Sequence, residues 1–186
     1  MFSQKPTIAD YLTMSRLLMA PVAFYLILQR DFTQIFIGGV LFGVAAITDV
    51  IDGYVARRTR ISELGKFLDP VADKLLTGLF LCALAYLTHI SWFFVIIIIL
   101  RDVIVTSTRL WKISADKKVI TPLLTAKLKT SLEMVLIGAL LFWVAFARRP
   151  LPDELFYVSN SLAAIVSILA WITGTHYIRT AFSKKK

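Results

Sequence analysis

The sequence predicts an all-α integral membrane protein, a bundle of six transmembrane helices with both termini in the cytoplasm. The chain of 186 residues is 58% hydrophobic and has a mean hydropathy of +0.73, whereas soluble domains are roughly half apolar. Its apolar residues form six stretches, each close to the about 20 residues that cross a bilayer as a helix. Its basic residues collect at alternate ends of these stretches.

The six predicted spans are residues 8–29, 34–56, 67–88, 92–112, 124–146 and 155–180. The breaks between them are short, so the sequence predicts one compact membrane domain over residues 1–186, with no separate soluble domain. The segment before the first span holds one lysine and no small-residue cleavage pattern. We therefore expect no removable signal peptide.

The distribution of lysine and arginine predicts the orientation of the spans. Fourteen of these residues lie near span ends on the side that includes both termini, and three lie on the other side. Because cytoplasmic loops carry an excess of positive charge, both termini are predicted to be cytoplasmic. The net charge of +9 suits loops beside anionic lipid. No aromatic and basic pattern typical of nucleic-acid binding is present.

Four aspartates stand where charge is costly, in the stretch "DVIDGYVARRTRISELGKFLDPVADK" from Asp49 to Lys74. Residues at spacings i, i+3, i+4 and i+7 share one helix face, and this spacing joins Asp49, Asp52, Gly53 and Ala56. Asp69 and Asp73, at i and i+4, share a face of the next helix. Four such carboxylates repel one another and lose hydration unless cations bind among them. Oxygen ligands favour hard cations such as Mg²⁺ or Mn²⁺.

Local alternatives remain open for parts of this stretch. The Asp52-Gly53 pair is also typical of a turn. The Asp69-Pro70 pair is also typical of a helix N-cap followed by proline, a role that is compatible with metal binding. Arg58 and Arg60 fit ordinary membrane anchors at the cytoplasmic surface.

The same stretch resembles the signature of the CDP-alcohol phosphatidyltransferases, D-x2-D-G-x2-A-R followed by G-x3-D-x3-D. The matching residues are Asp49, Asp52, Gly53, Ala56, Arg57, Gly65, Asp69 and Asp73. The resemblance implies a six-helix membrane bundle, often homodimeric. It also implies attack of an alcohol on the diphosphate of CDP-diacylglycerol, with release of CMP.

The resemblance further implies a role for each signature residue. Asp49, Asp52 and Asp69 are expected to bind two Mg²⁺ or Mn²⁺ ions, and Asp73 to lie near the metals and act as the general base. The donor nucleotide and diphosphate are expected to bind at Gly53, Ala56 and Arg57. Thr48 is a further candidate for the nucleotide, with a hydrogen bond to its own helix as the alternative.

Three other segments resemble phosphatidylglycerophosphate synthases within this family. "TIADYLTMSRLLMAP" fits a first-span pattern through Leu12, Thr13, Arg16 and Pro21, with Asp10 in place of asparagine. "LRDVIVTSTRL" fits through Arg101 and Arg109, with Asp102 in place of glutamate. "TAKLKTSLEMV" fits through Lys127 and Lys129, with Ala126 and Glu133 as departures. The implied location is a bacterial inner (plasma) membrane, with the active site facing the cytoplasm.

Arg101, Arg109 and Lys127 are the candidates for binding a phosphate on the acceptor, because arginine forks match phosphate oxygens. The two arginines are eight residues apart, roughly 80° around a helix. Internal pairing with Asp102 or Glu133 is the alternative for the arginines. An anchoring role at the membrane surface is the alternative for Lys127 and Lys129.

A phosphorylated acceptor indicates glycerol 3-phosphate as the acceptor and phosphatidylglycerophosphate as the product. The main alternative is a CDP-alcohol-type cardiolipin synthase, which uses phosphatidylglycerol as acceptor. Inositol phosphate and serine are further acceptors to consider. A non-catalytic transporter is the alternative from another class, but it predicts carboxylates spread across the bilayer rather than clustered at one mouth.

Overall fold

The computed structural model describes residues 8–56, 63–116, 124–147 and 151–182, and these form six helices. The helices are α1 (Ile8–Leu28), α2 (Phe32–Ala56), α3 (Glu63–Tyr86), α4 (Trp92–Asp116), α5 (Leu124–Ala147) and α6 (Asp153–Phe182). Side chains are described in these ranges except at 8–10, 49–56, 63–67, 112–116, 124–129, 147 and 181–182. Each helix agrees with one predicted span to within four residues at either end, so the all-helical class is confirmed.

The structure contradicts two of the local alternatives, the helix N-cap at Asp69-Pro70 and the turn at Asp52-Gly53. Helix α3 begins at Glu63, so the Asp69-Pro70 pair lies inside the helix rather than at its N-terminus. Proline is tolerated inside membrane helices because neighbouring groups satisfy the freed backbone positions. The Asp52-Gly53 pair lies inside α2, not in a turn. Both aspartate pairs therefore keep the helical spacing on which the predicted site depends.

Helix α3 lies at the centre of the packing. It contacts α1, α4 and α5, while α1 and α5 also contact α2, and α6 contacts α4 and α5. Helices α1 and α2 pack closely at Gly38, where an added Cβ atom would lie 2.7 Å from Ile27 Cγ1 and 3.0 Å from the Ala23 carbonyl oxygen. Glycine is thus required there for the two backbones to pack together.

Polarity is distributed as in a protein surrounded by lipid. Large apolar side chains point outward, such as Leu18 at 74% exposure and Val135 at 67%, whereas Arg16 is 2% exposed and Glu133 is fully buried. Soluble proteins rarely expose such extensive apolar surface. By length and composition, α1 over Tyr11–Leu28 and α6 over Asp153–Thr180 are long enough to cross a membrane.

The other described helices have a shorter or more charged apolar stretch than α1 and α6. The apolar parts of α2 and α5 with described side chains are shorter, at Phe32–Thr48 and Thr130–Phe146. Helices α3 and α4 each carry three charged residues within their apolar sequence. These charges are the residues of interest for function, and the count of six spans remains a prediction.

Candidate active site

Asp69 on α3 is held by the first helix. The Thr13 hydroxyl donates a hydrogen bond of 2.7 Å to Asp69 Oδ1, and Arg16 Nη2 donates to the Thr13 oxygen at 3.4 Å. Thr13 and Arg16 are both buried. A hydroxyl both donates and accepts, so Thr13 connects a buried guanidinium to the carboxylate. The resemblance of the first span thus falls on residues that support the predicted metal ligand Asp69.

Asp73, one turn further along α3, has two oxygens in different environments. Its Oδ2 atom lies 3.0 Å from Lys74 Nζ. Its Oδ1 atom is buried and has no hydrogen-bond partner within the described part of the chain. A buried carboxylate oxygen without a partner is costly, and a metal ion or a substrate hydroxyl would satisfy it. This oxygen fits the predicted roles of Asp73 as metal neighbour and general base.

Helices α2 and α3 meet through two aromatic rings, about two turns beyond Asp73 on α3. The rings of Phe42 and Phe80 are 4.5 Å apart at their centroids. Helix α2 has 25 residues and is about 37 Å long, whereas the segment 57–62 reaches at most about 25 Å. The two helices therefore run antiparallel.

Helical periodicity relates the aspartates to this ring pair. A separation of seven residues returns to within about 20° of the same face and rises about 10 Å. Position 49 is seven residues beyond Phe42, and Asp73 is seven residues before Phe80. Both positions lie on the side of the ring pair that leads to the α2–α3 connection. Helical periodicity therefore predicts that the two halves of the signature lie at one level of the bundle.

Several predicted site residues lie outside what the structure describes. For Asp49, Asp52, Gly53, Ala56 and Lys127 only the helical backbone is described, and Arg57 lies outside the described residues. Asp69 and Asp73 are the two aspartates of the signature with described side chains, and no third potential ligand joins them among the described side chains. The convergence of all four carboxylates remains a prediction.

Lys74 is a basic residue of the site that sequence reasoning missed. Seventeen of the 21 lysines and arginines lie near predicted span ends; the four others are Arg16, Lys74, Arg101 and Arg109. Lys74 Nζ lies 3.0 Å from Asp73 Oδ2 and 3.3 Å from Asp102 Oδ2 on α4. A lysine within an apolar span, directly after the predicted base, is the sequence signal from which this pairing could have been predicted.

Arg101 is paired inside the protein, which was the alternative to its predicted role. Its Nη1 donates to Asp102 Oδ1 at 2.7 Å. On α6, its Nε donates to the Ala170 carbonyl at 2.7 Å and its Nη2 donates to the Thr173 hydroxyl at 3.0 Å. The guanidinium is buried and engaged on three sides. This geometry does not support the prediction that Arg101 binds the acceptor phosphate.

Arg109 differs from Arg101 although both lie on α4. It is partly exposed, and its buried Nε has no hydrogen-bond partner among the described residues. The structure therefore leaves Arg109 available for a ligand.

Thr48, the further candidate for binding the nucleotide, donates a hydrogen bond from its hydroxyl to the Ala45 carbonyl at 2.9 Å. This contact favours the alternative in which Thr48 bonds to its own helix.

Comparison with known proteins agrees with the signature. The family model described as CDP-alcohol phosphatidyltransferase matches residues 6–177. A Wigglesworthia glossinidia brevipalpis protein named CDP-diacylglycerol–glycerol-3-phosphate 3-phosphatidyltransferase is 33% identical over 169 residues, which are 86% of this chain and 92% of the relative.

Two other relatives are longer than this chain. A Drosophila melanogaster protein named probable cardiolipin synthase (CMP-forming) is 30% identical over 200 residues, 96% of this chain and 61% of the relative. A Mycoplasma pneumoniae protein with the same name as the Wigglesworthia one is 34% identical over 152 residues, 81% of this chain and 63% of the relative. The chain thus spans about three fifths of the length of these two. The match over nearly all of the Wigglesworthia protein and the family model together confirm what the signature predicted: the chain belongs to the CDP-alcohol phosphatidyltransferase family.

Proposed function

We propose that this protein transfers the phosphatidyl group of CDP-diacylglycerol to glycerol 3-phosphate, giving phosphatidylglycerophosphate and CMP. The observation that carries the proposal is the buried Oδ1 of Asp73, which has no hydrogen-bond partner among the described residues. The names of the Wigglesworthia and Mycoplasma relatives support the choice of acceptor. Membership of a phosphatidyltransferase family contradicts the alternative of a non-catalytic transporter.

Asp73 acts as the general base. Its Oδ1 takes the proton of the acceptor hydroxyl, and that hydroxyl oxygen bonds to the phosphorus of the phosphatidyl group. The bond from this phosphorus to the oxygen of CMP breaks, and CMP leaves with the electron pair. Lys74 holds Oδ2, so the carboxylate presents one oxygen to the hydroxyl. A base in such a position typically contributes 10²–10⁴-fold to the rate.

The predicted metal site comprises Asp49, Asp52 and Asp69, with Asp73 beside it. The acidic, oxygen-only set fits Mg²⁺ or Mn²⁺, and two such ions would neutralise charge on the diphosphate and on the departing CMP. Thr13 fixes one oxygen of Asp69, which orients the carboxylate before any ion binds.

Donor and acceptor bind on different basic residues in this proposal. Gly53 and Ala56 allow the nucleotide to approach α2, and Arg57 binds the donor diphosphate. Arg109 and Lys127 bind the phosphate of glycerol 3-phosphate. Arg101 is not included, because its guanidinium is engaged by α6 and Asp102.

A cardiolipin synthase that uses phosphatidylglycerol is the second candidate, favoured by the Drosophila relative that covers 96% of this chain. The deciding experiment measures CMP release from CDP-diacylglycerol with Mg²⁺ or Mn²⁺, in parallel assays with glycerol 3-phosphate, phosphatidylglycerol and inositol phosphate. We expect release with glycerol 3-phosphate alone. Release with phosphatidylglycerol alone would establish the second candidate, and no release with any acceptor would contradict both.

We also propose that all six helices span the membrane, with the α2–α3 connection and both termini on the cytoplasmic side. The Ser62→Cys variant in a Cys82→Ala background should react with a membrane-impermeant thiol reagent only after the membrane is opened. Asp153→Cys, at the exposed start of α6, is the matched control and should react in intact cells. The reverse pattern would contradict the orientation. The homodimer implied by the resemblance remains a prediction.

A further inference from the structure

We infer that Asp102 and Arg101 are positioning residues for the base: a relay of contacts from α6 through Arg101, Asp102 and Lys74 fixes the orientation of the Asp73 carboxylate. This inference rests on the proposed function, in which Asp73 is the base. None of the three relay residues needs to touch a substrate in this role.

The relay is needed because Lys74 and Asp73 are adjacent on a helix. Adjacent helical residues point about 100° apart and do not ordinarily face each other. Lys74 is a long, flexible side chain, so its contact with Asp73 needs a second fixed partner. Asp102 Oδ2 provides it at 3.3 Å from the Lys74 nitrogen, and this contact ties α3 to α4.

Asp102 is itself held from the opposite side. Its Oδ1 accepts from Arg101 Nη1 at 2.7 Å, so each oxygen of this buried carboxylate faces a different cation. Arg101 in turn is fixed to α6 through Ala170 and Thr173. At Gly174 an added Cβ atom would lie 3.0 Å from Arg101 Nε, so α6 closes tightly over the guanidinium. The relay therefore joins three helices to one oxygen of the base.

Charge alternation explains why the relay is stable when buried. Asp73 and Lys74 are half-buried and Asp102 and Arg101 are buried; the four alternate in sign, and each charge has an opposite neighbour. Loss of one member leaves its neighbour without compensation. An amide at position 102 would keep the shape of the side chain but remove the charge that holds the Lys74 ammonium beside α4. We expect Lys74 then to move, and the Asp73 carboxylate to lose its fixed orientation.

A small cavity provides a matched rescue. It has a volume of about 40 Å³ and is lined by Lys74, Asp102 and Glu133, among others. Since a water molecule takes about 30 Å³ in the liquid, this cavity has room for the one extra methylene of glutamate. Asp102→Glu should therefore keep the carboxylate between Lys74 and Arg101.

The experiment compares kcat and both KM values of full-length Asp102→Asn and Asp102→Glu with those of wild type. Misplacing a catalytic group by about 1 Å costs about 10²-fold, so Asp102→Asn should lower kcat by about 10- to 100-fold. Its KM for CDP-diacylglycerol and for glycerol 3-phosphate should stay within about threefold, because the relay touches neither substrate. Asp102→Glu should recover most of kcat.

Thr173→Val provides an independent test if Asp102→Asn fails to fold. It removes the hydroxyl that accepts from Arg101 and leaves the carboxylates in place, and we expect kcat to fall about two- to tenfold. Ser167→Ala is the matched control on α6, because its buried hydroxyl bonds to the Ala163 carbonyl of its own helix. It should leave kcat unchanged.

Equilibrium binding of CDP-diacylglycerol to each variant gives a readout besides activity, and it should match wild type. Unchanged kcat in folded Asp102→Asn, or in Thr173→Val where Asp102→Asn does not fold, would overturn the relay. A loss of CDP-diacylglycerol binding would also overturn it. The same holds if Asp102→Glu lowers kcat as much as Asp102→Asn does. An inactive wild-type protein would instead contradict the proposed function.

Discussion

Asp73→Asn is expected to lower kcat by about 10²–10⁴-fold, the contribution of a positioned general base, while CDP-diacylglycerol still binds. Asparagine keeps the size of the side chain and cannot take the acceptor proton. The same substitution at Asp49, Asp52 or Asp69 should abolish transfer and weaken binding of Mn²⁺, because each removes a charged ligand from a site that depends on cations. Steady-state kinetics and Mn²⁺ titration of the four variants measure the difference.

Asp31→Asn is the matched control for these substitutions. Asp31 is exposed, lies before α2 and accepts a hydrogen bond from the Gln34 N–H through its carboxylate at 3.0 Å. Asparagine also serves as an N-cap, so this variant should retain activity and Mn²⁺ binding. Full activity of Asp49→Asn, Asp52→Asn or Asp69→Asn would contradict the metal site. Loss of donor binding in Asp73→Asn would transfer this residue from the base to the set of metal ligands.

The fold was largely predictable because membrane helices depend on local properties. An apolar stretch of about 20 residues determines where a helix crosses a bilayer, and all six helices agree with such stretches. The N-cap alternative for Asp69-Pro70 rested on a rule for soluble helices, in which proline usually marks the first turn. In α3 the proline lies seven residues, about two turns, after the first helical residue.

The candidate site was predictable only where its chemistry follows spacing along one helix. Asp69 and Asp73 are one turn apart and could be paired from the sequence. The contact of Thr13 with Asp69 joins residues 56 positions apart, and that of Arg101 with Thr173 spans 72 positions. Such contacts depend on how helices pack and rotate, which no local pattern specifies. For the same reason Arg101 and Arg109 looked equivalent in sequence, although their surroundings differ.

Arg109→Ala is expected to raise the KM for glycerol 3-phosphate by about 10- to 100-fold and to leave the KM for CDP-diacylglycerol nearly unchanged. A hydrogen bond to a charged group contributes about 1.5–3 kcal/mol, which corresponds to this range in affinity. The partly exposed Arg109 has a buried Nε without a partner among the described residues, and an unpaired guanidinium in a membrane span is costly. An anionic ligand removes that cost.

Arg57→Ala and Arg101→Ala distinguish this role from the other two roles of arginine in the protein. Arg57→Ala should raise the KM for CDP-diacylglycerol instead, since Arg57 is assigned to the donor diphosphate. Arg101→Ala should lower thermal stability and kcat rather than affect one substrate, because it leaves Asp102 without its 2.7 Å partner. If Arg109→Ala raised neither KM but destabilised the protein, Arg109 would have a structural role like that of Arg101. The acceptor phosphate would then have to bind to Lys127 without an arginine, which predicts a weaker discrimination against unphosphorylated acceptors, because lysine offers a point charge and not a fork.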